Sequence, residues 1–265
     1  MPKHPLFQKS KCFVFDMDGT IYLGEKLIDG ADDLLCALPA LGYDYRLFSN
    51  NSSNSIRICQ TRLAGMGIDV GTEKIILSSH VAADYLRKNH AGKKVYLLGN
   101  EHLRAIIQDA DVCLTDETER PDIVLLGFDT TLTYQKIAYA AKSIAGGALY
   151  LATHPDVNCP TADGFLPDTG AMIAMFEAST GKRPLVMGKP TQMTVTFLQN
   201  ELGLCADQLV FVGDRLETDI AIGANHGIPS VLVLSGVTTA EQAAHSAIKA
   251  DFTLANAACL KQYLE

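Results

Sequence analysis

Two aspartates stand two residues apart directly behind an apolar run near the start of the chain, in the stretch FVFDMDGT. If that run is a buried strand, Asp16 and Asp18 must lose hydration, and an unpaired buried charge is costly. Residues two apart on a strand point the same way, so one carboxylate can act as a nucleophile while the other handles a proton. Gly19 and Thr20 follow, and the glycine lets the backbone turn sharply. The spacing indicates a site that needs two acids and a compensating cation.

Polar residues follow three further apolar stretches in the same way. Ser49 comes after YRLF, Lys189 after PLVMG and Asp214 after LVFVG. Ligands of open α/β sheets bind at the carboxyl ends of the strands, so these residues predict one site with the two aspartates. Its oxygen ligands and negative charge suit a hard cation such as Mg²⁺. That cation and Lys189 together would neutralise a bound phosphate, so the predicted chemistry is phosphoryl transfer to a carboxylate.

Short apolar runs alternate with helix-like stretches along the whole chain, as in KCFVF followed by ADDLLCALPALG. This alternation predicts an α/β fold with a Rossmann-like parallel-sheet core and helices on both faces. We expect PLVMG to be a strand of the same sheet as CFVF, although Lys189 lies far along the chain from Ser49. A smaller α/β cap domain at 80–182 would then be inserted into a catalytic core formed by 1–79 and 183–265.

The stretches DMDGT, SNN, GKP and GDRLETDI occur in this order. They resemble the four motifs of the haloacid-dehalogenase (HAD) superfamily phosphatases. The chain is most similar to the NagD-like or p-nitrophenylphosphatase-like branch, which carries a large inserted α/β cap of the C2 type. The resemblance implies a Mg²⁺-dependent phosphoric monoester hydrolase that forms an aspartyl-phosphate. It also implies ester hydrolysis rather than dehalogenation, because members that cleave carbon–halogen bonds lack an aspartate at the position of Asp18.

The resemblance also implies a role for each motif residue. Asp16 is expected to be the nucleophile and a metal ligand, and Asp18 the general acid and base, with its main-chain carbonyl on the metal. Asp214 would be a further metal ligand. The expected phosphate-binding residues are Ser49, Asn50 and Lys189, and the expected supporting residues are Gly19, Thr20 and Asp219. In the cap, the polar stretch THPDVNCPTADGFLPDTGAM is expected to be a substrate loop that includes Asp168 and Thr169.

Simpler interpretations exist for single motifs. Asp16 and Asp18 are also good turn residues, and the segment after Ser49 is also a good helix-capping sequence. Lys189 is compatible with an ordinary surface lysine, and Asp219 with an acid in the first turn of a helix. The four motifs in order favour the phosphatase. A non-catalytic phosphate- or metabolite-binding regulator, or a phosphotransferase using the same intermediate, stays open.

Composition narrows the possible partners. The chain has 265 residues, 48% hydrophobic and 20% charged, with a formal net charge of −8 and no basic block. This composition argues against nucleic acid, and no apolar run predicts a membrane partner. We expect a cytoplasmic enzyme that acts on a small phosphorylated metabolite. The identity of that metabolite and the oligomeric state stay open, including a homo-oligomer paired through a cap surface.

Overall fold

The computed structural model of the protein describes residues 4–161 and 163–264. Strands and helices alternate along the chain. The strands are β1 Cys12–Phe15, β2 Tyr22–Leu23, β3 Lys26–Leu27, β4 Asp44–Ser49, β5 Ile75–Leu77, β6 Val95–Leu98, β7 Leu114–Thr115, β8 Ile123–Leu126, β9 Leu149–Ala152, β10 Asn158–Thr161, β11 Gly164–Pro167, β12 Leu185–Val186, β13 Leu209–Gly213, β14 Ser230–Val233 and β15 Phe252–Leu254. The helices are α1 Ala31–Ala40, α2 Ile56–Gly65, α3 Ser78–Asn89, α4 Glu101–Asp109, α5 Tyr134–Ala145, α6 Thr169–Thr180, α7 Gln192–Leu202, α8 Ala221–His226 and α9 Ala240–His245.

The described residues form two compact units. The first contains residues 4–49, 56–76 and 195–264, and the second contains residues 50–55 and 77–194. The boundaries predicted from the sequence, at 79/80 and 182/183, stay a prediction, because they describe domains and not contact density.

A six-stranded sheet organises the first unit, in the order β15-β14-β13-β1-β4-β5. Strand β1 lies at its centre and pairs in parallel with β13 on one side and β4 on the other. All four residues of β1 are buried. A central parallel strand is covered on both faces, which is why its sequence is continuously apolar rather than alternating. The predicted α/β fold with a parallel-sheet core is therefore confirmed.

A five-stranded sheet organises the second unit, in the order β12-β9-β8-β6-β7, and its neighbours pair in parallel. Its core includes Phe176 of α6 and Tyr150 of β9, whose rings meet edge to face at 5.9 Å. The helices begin at side-chain caps, as at Asn100, whose Oδ1 accepts from the N–H of Leu103 at 3.1 Å. Such a cap satisfies a main-chain donor that has no partner within the helix.

One expectation about the sheets is wrong. The strand of PLVMG was expected beside CFVF, but Leu185–Val186 pairs with β9 in the five-stranded sheet. The strand has only two residues, and a short apolar strand carries no information about which sheet it joins. Lys189, which follows this strand, therefore belongs to the second unit.

Within the described residues, no helix combines the length and the apolar character needed to cross a bilayer.

Candidate active site

The central strands of the first unit bring three polar residues to one edge of its sheet. Asp16 directly follows β1, and its main-chain N–H donates to the carbonyl of Val212 in β13 at 2.8 Å. Asp214 directly follows β13, and Ser49 is the last residue of β4. Because these strands are parallel neighbours, their carboxyl ends lie side by side.

Three carboxylates meet at this edge. Asp16, Asp214 and Asp219 each offer an oxygen, and these oxygens all lie within 4.8 Å of one another. Asp214 and Asp219 are buried, with 0% and 1% exposure, and Asp16 is half-buried. Like charges at this spacing repel strongly in a buried site, and a divalent cation removes that cost. An all-oxygen donor set fits a hard cation such as Mg²⁺, so the residues present are compatible with the metal that the resemblance implies.

Main-chain groups and two glycines hold the Asp214 carboxylate. Its Oδ2 accepts from the N–H of Val237 at 2.6 Å, and its carbonyl accepts from the N–H of Thr238 at 3.2 Å. A Cβ atom at Gly236 would lie 2.5 Å from Asp214 Cγ, and one at Gly19 would lie 2.6 Å from it. Gly19 also has a φ of 83°, a conformation that disfavours other residues. The carboxylate therefore sits in a cradle that any larger side chain would fill.

Asp219 is placed by a local irregularity of the backbone. Leu216–Ile220 form one π-helical turn, in which the N–H of Ile220 donates to the carbonyl of Arg215 at 3.2 Å. The N–H of Arg215 donates in turn to Asp219 Oδ2 at 3.1 Å. Single π-turns occur often at functional sites, where they redirect a side chain. Here the turn carries Asp219 to the other two carboxylates.

Asp18 does not belong to the three-carboxylate cluster. It is half-buried, and burial raises the pKa of its carboxyl group, although the positive charges of Arg62 and Arg215 oppose the change. A carboxyl group with a raised pKa holds its proton more readily and is better suited to act as an acid. The turn beside it is held by Ser235, whose hydroxyl donates to the carbonyl of Gly19 at 2.7 Å. Thr20 is buried, and its hydroxyl has no hydrogen-bond partner among the described residues.

Asn50 and Lys189 contact each other in the second unit. The N–H of Lys189 donates to Asn50 Oδ1 at 2.9 Å, and Asn50 Nδ2 donates to the carbonyl of Lys189 at 3.1 Å. Nδ2 also donates to Asp156 Oδ1 at 3.0 Å. Both side chains that the sequence assigned to phosphate binding here are buried, Asn50 with 4% exposure and Lys189 with 2%.

Asp168 and Thr169 mark the start of a helix. Asp168 caps α6, and its Oδ1 accepts from the main-chain N–H of Thr169 at 2.5 Å and from the Thr169 hydroxyl at 3.1 Å. The same oxygen lies 2.9 Å from Nε2 of His154. The expected loop also contains the antiparallel hairpin β10–β11, while Ala162 lies outside the described residues. Since Asp168 is only 3% exposed, its contacts are within the protein, and its role in substrate choice stays a prediction.

The sequence reasoning missed the groups that surround Asp214. Ser235, Gly236 and Val237 follow β14 just as Asp214 follows β13. The same rule of polar residues at strand ends would have found them, because β14 pairs in parallel with β13. It missed His154 for a different reason, since nothing in the sequence links it to Asp168.

Comparisons with known proteins agree with this geometry. A family profile described as "Haloacid dehalogenase-like hydrolase" matches residues 13–113, and one described as "HAD-hyrolase-like" matches residues 186–259. The acid sugar phosphatase of Staphylococcus aureus (strain MRSA252) is 34% identical over 231 residues, which cover 87% of this chain and 89% of the relative. The chain belongs to the haloacid dehalogenase-like hydrolases. The predicted family is therefore confirmed.

Solved structures of this family extend the comparison to the fold. The 4-nitrophenylphosphatase of Thermotoga maritima has a TM-score of 0.94 and 37% identity, covering 99% of this chain and 100% of that one. A glycerol phosphate phosphatase of Mycobacterium tuberculosis, solved in complex with magnesium, has a TM-score of 0.88 and 28% identity, covering 99% and 78%. The prediction of a HAD-type phosphatase is confirmed by these relatives, and the magnesium complex agrees with the predicted cofactor.

Proposed function

We propose that this HAD-like hydrolase is a Mg²⁺-dependent phosphatase that hydrolyses small-molecule phosphate monoesters through an aspartyl-phosphate on Asp16. The observation that carries the proposal is the cluster of Asp16, Asp214 and Asp219 at the carboxyl end of the central strands. Asp16, Asp214 and the main-chain carbonyl of Asp18 would hold the metal, with Asp219 beside them. When bound, Mg²⁺ supplies charge neutralisation, which lets an anionic nucleophile approach an anionic phosphate.

The chain's own residues account for both chemical steps. In the first, a carboxylate oxygen of Asp16 attacks phosphorus, the bond from phosphorus to the ester oxygen breaks, and Asp18 gives its proton to the departing alkoxide. In the second, Asp18 takes a proton from water, the water oxygen attacks phosphorus, and the bond to Asp16 breaks. The products are the alcohol and inorganic phosphate, and both aspartates return to their starting states.

Ser49 and Lys189 are the proposed phosphate-binding residues. A hydroxyl donor and an ammonium group would stabilise the charge that spreads over the transferred phosphoryl oxygens. The names of the relatives support small esters as substrates, since they include an acid sugar phosphatase and a glycerol phosphate phosphatase. The proposed substrates are therefore phosphate esters of small polyhydroxylated alcohols.

The proposal is tested by measuring phosphate release from sugar phosphates, glycerol phosphates, nucleoside monophosphates and 4-nitrophenyl phosphate. Each substrate is assayed with Mg²⁺ and with excess chelator, using the wild type, Asp16→Asn and Asp207→Asn. Asp207 is the matched control, because its carboxylate is exposed and forms a surface ion pair with Lys9 at 3.1 Å. We expect release that needs Mg²⁺, is lost in Asp16→Asn and is retained in Asp207→Asn.

Two outcomes would contradict the proposal. Full activity in a pure Asp16→Asn protein would exclude Asp16 as the nucleophile. A wild type that binds Mg²⁺ and inorganic phosphate but releases none from any ester would favour the regulator. Addition of alcohols to the assay separates the phosphotransferase, because a new phosphate ester would then form at the expense of free phosphate.

A further inference from the structure

The carboxamide of Asn50 is fitted against the main chain of Lys189. It accepts from the N–H of Lys189 and donates to the carbonyl of the same residue, at 2.9 and 3.1 Å. A Cβ atom at Gly188 would lie 2.6 Å from Asn50 Oδ1, so only glycine leaves room for this contact. A side chain that binds both polar groups of one residue constrains the main chain at that position.

The hydrogen bonds also use every donor that the Asn50 side chain has. A carboxamide carries two N–H groups, and these donate to the Lys189 carbonyl and to Asp156 Oδ1. The amide cannot be turned over, because the N–H of Lys189 needs an acceptor and the two oxygens need donors. The Asn50 side chain therefore has no N–H left to offer a phosphate.

The segment that carries Asn50 is itself held firmly. The Ser52 hydroxyl accepts from the N–H of Phe128 at 2.9 Å and from the hydroxyl of Thr153 at 3.0 Å. The Asn50 carbonyl accepts from the Ser78 hydroxyl at 2.5 Å. Phe128 and Thr153 lie just beyond the carboxyl ends of β8 and β9, so residues 50–55 are attached to that edge of the five-stranded sheet. Asn50 is thus a fixed support and not a mobile loop residue.

Asp156 ties the other side of the carboxamide to helix α6. The Asp156 carbonyl accepts from the N–H of Gly170 at 2.7 Å, in the first turn of that helix. The carboxylate of Asp156 faces Asn50 Nδ2 at 3.0 Å. A single amide therefore joins three parts of the second unit: the main chain at Lys189, Asp156 and residues 50–55.

We propose that Asn50 is a positioning residue, whose side chain holds the main chain of Lys189 in place with Asp156 as its partner, and is not itself a phosphate ligand. The inference rests on the proposed function, because Lys189 matters to the reaction only if it binds the transferred phosphate. A small displacement of the Lys189 main chain would misplace its ammonium group, and errors of about 1 Å at a reacting group can reduce turnover about 100-fold.

The test exchanges donor and acceptor between Asn50 and Asp156. Asn50→Asp places a carboxylate oxygen against two other oxygens, the Lys189 carbonyl and the Asp156 carboxylate. Adding Asp156→Asn returns one donor to the pair and removes one of the two negative charges. The kcat and KM values of the wild type, Asn50→Asp, Asp156→Asn and the double variant are measured, together with inhibition by inorganic phosphate.

We expect kcat of Asn50→Asp to fall about 100-fold with KM changed by less than about threefold, and the double variant to recover about tenfold of that loss. Asp156→Asn alone keeps an acceptor oxygen, so we expect a loss below about threefold. Asn54→Asp is the matched control in the same segment, because the Asn54 side chain has no hydrogen-bond partner within residues 4–161 and 163–264. It should retain kcat within about twofold.

A different pattern would overturn the inference. If Asn50 bound phosphate directly, the new charge in Asn50→Asp would raise KM and weaken inhibition by inorganic phosphate, and Asp156→Asn would restore nothing. If Asn50→Asp does not fold, Asn50→Ala replaces it, with an expected loss of about tenfold in kcat; an unchanged kcat contradicts the inference. An inactive wild type would remove the proposed function and this inference together, whereas an active wild type without rescue removes only the inference.

Discussion

Gly236 provides a test of the metal site that leaves every proposed ligand unchanged. A Cβ atom at this position would lie 2.5 Å from Asp214 Cγ, whereas ordinary contacts begin at 3.4 Å. Either the carboxylate or the segment around Gly236 must therefore move by about 1 Å in Gly236→Ala. The carboxylate cannot withdraw freely, because its Oδ2 accepts from the N–H of Val237 at 2.6 Å.

The expected effect follows from that displacement. Mg²⁺ requires nearly ideal octahedral geometry, so a ligand that moves by about 1 Å is lost or badly aligned. We expect the apparent affinity for Mg²⁺ to fall by about 10- to 100-fold, as when a group that orients a ligand is changed. At saturating Mg²⁺ the turnover should fall by about 100-fold, because the charge that neutralises the phosphate is displaced.

The assay is a Mg²⁺ titration of phosphate release, paired with calorimetric titration of Mg²⁺ into the protein without substrate. Gly65→Ala is the matched control, because a Cβ atom there meets nothing within 4 Å. It should change neither quantity by more than about twofold. A folded Gly236→Ala protein with wild-type Mg²⁺ affinity and turnover would refute the placement of Asp214 at the metal.

Three further predictions concern the second unit. Ser52→Ala leaves the N–H of Phe128 and the hydroxyl of Thr153 without their buried partner, so the free energy of unfolding should fall by about 1–3 kcal/mol in urea titrations; an unchanged midpoint would contradict the network. Phe176→Ala empties a fully buried position against Tyr150 and should cost about 3–5 kcal/mol, measured in the same way, with a loss below about 1 kcal/mol as the contrary result. Burial lowers the pKa of His80 to about 4, below its unfolded value of 6.5, so its stabilisation is complete above pH 6.5 and is lost as the pH falls towards 4. Because His80 is partly exposed, we expect about 1–2 kcal/mol less stability at pH 5 than at pH 7.5, and a smaller difference in His80→Gln; equal differences in the two proteins would be evidence against this cause.

The central part of the fold was predictable from short stretches of sequence. Strand β1 is buried on both faces, so its four residues are all apolar, and Asp16 follows at the point where the strand must end. The same pattern marks β13 and Asp214. Parallel pairing then brings these strand ends together without further information, which is why the carboxylate cluster could be anticipated.

Other features depend on contacts between distant residues and could not be predicted. The two residues of β12 pair with β9, and nothing local in PLVMG distinguishes that sheet from the other. Asp168 carries a helix-capping sequence, but its burial follows from a contact with His154 that the sequence does not reveal. The donors of Asn50 are similarly used by Lys189 and Asp156, and only the folded chain shows that they are occupied.

The central claim is that the phosphoryl group passes through Asp16, and the most direct test is to identify the modified residue. The wild type is mixed with a substrate and Mg²⁺, quenched in acid during turnover and digested, and the peptides are examined by mass spectrometry. The mechanism predicts a phosphoryl group on Asp16, formed only with Mg²⁺ and missing from Asp16→Asn. Turnover with Asp16 unmodified at every quench time, or a phosphoryl group on another residue, would contradict it.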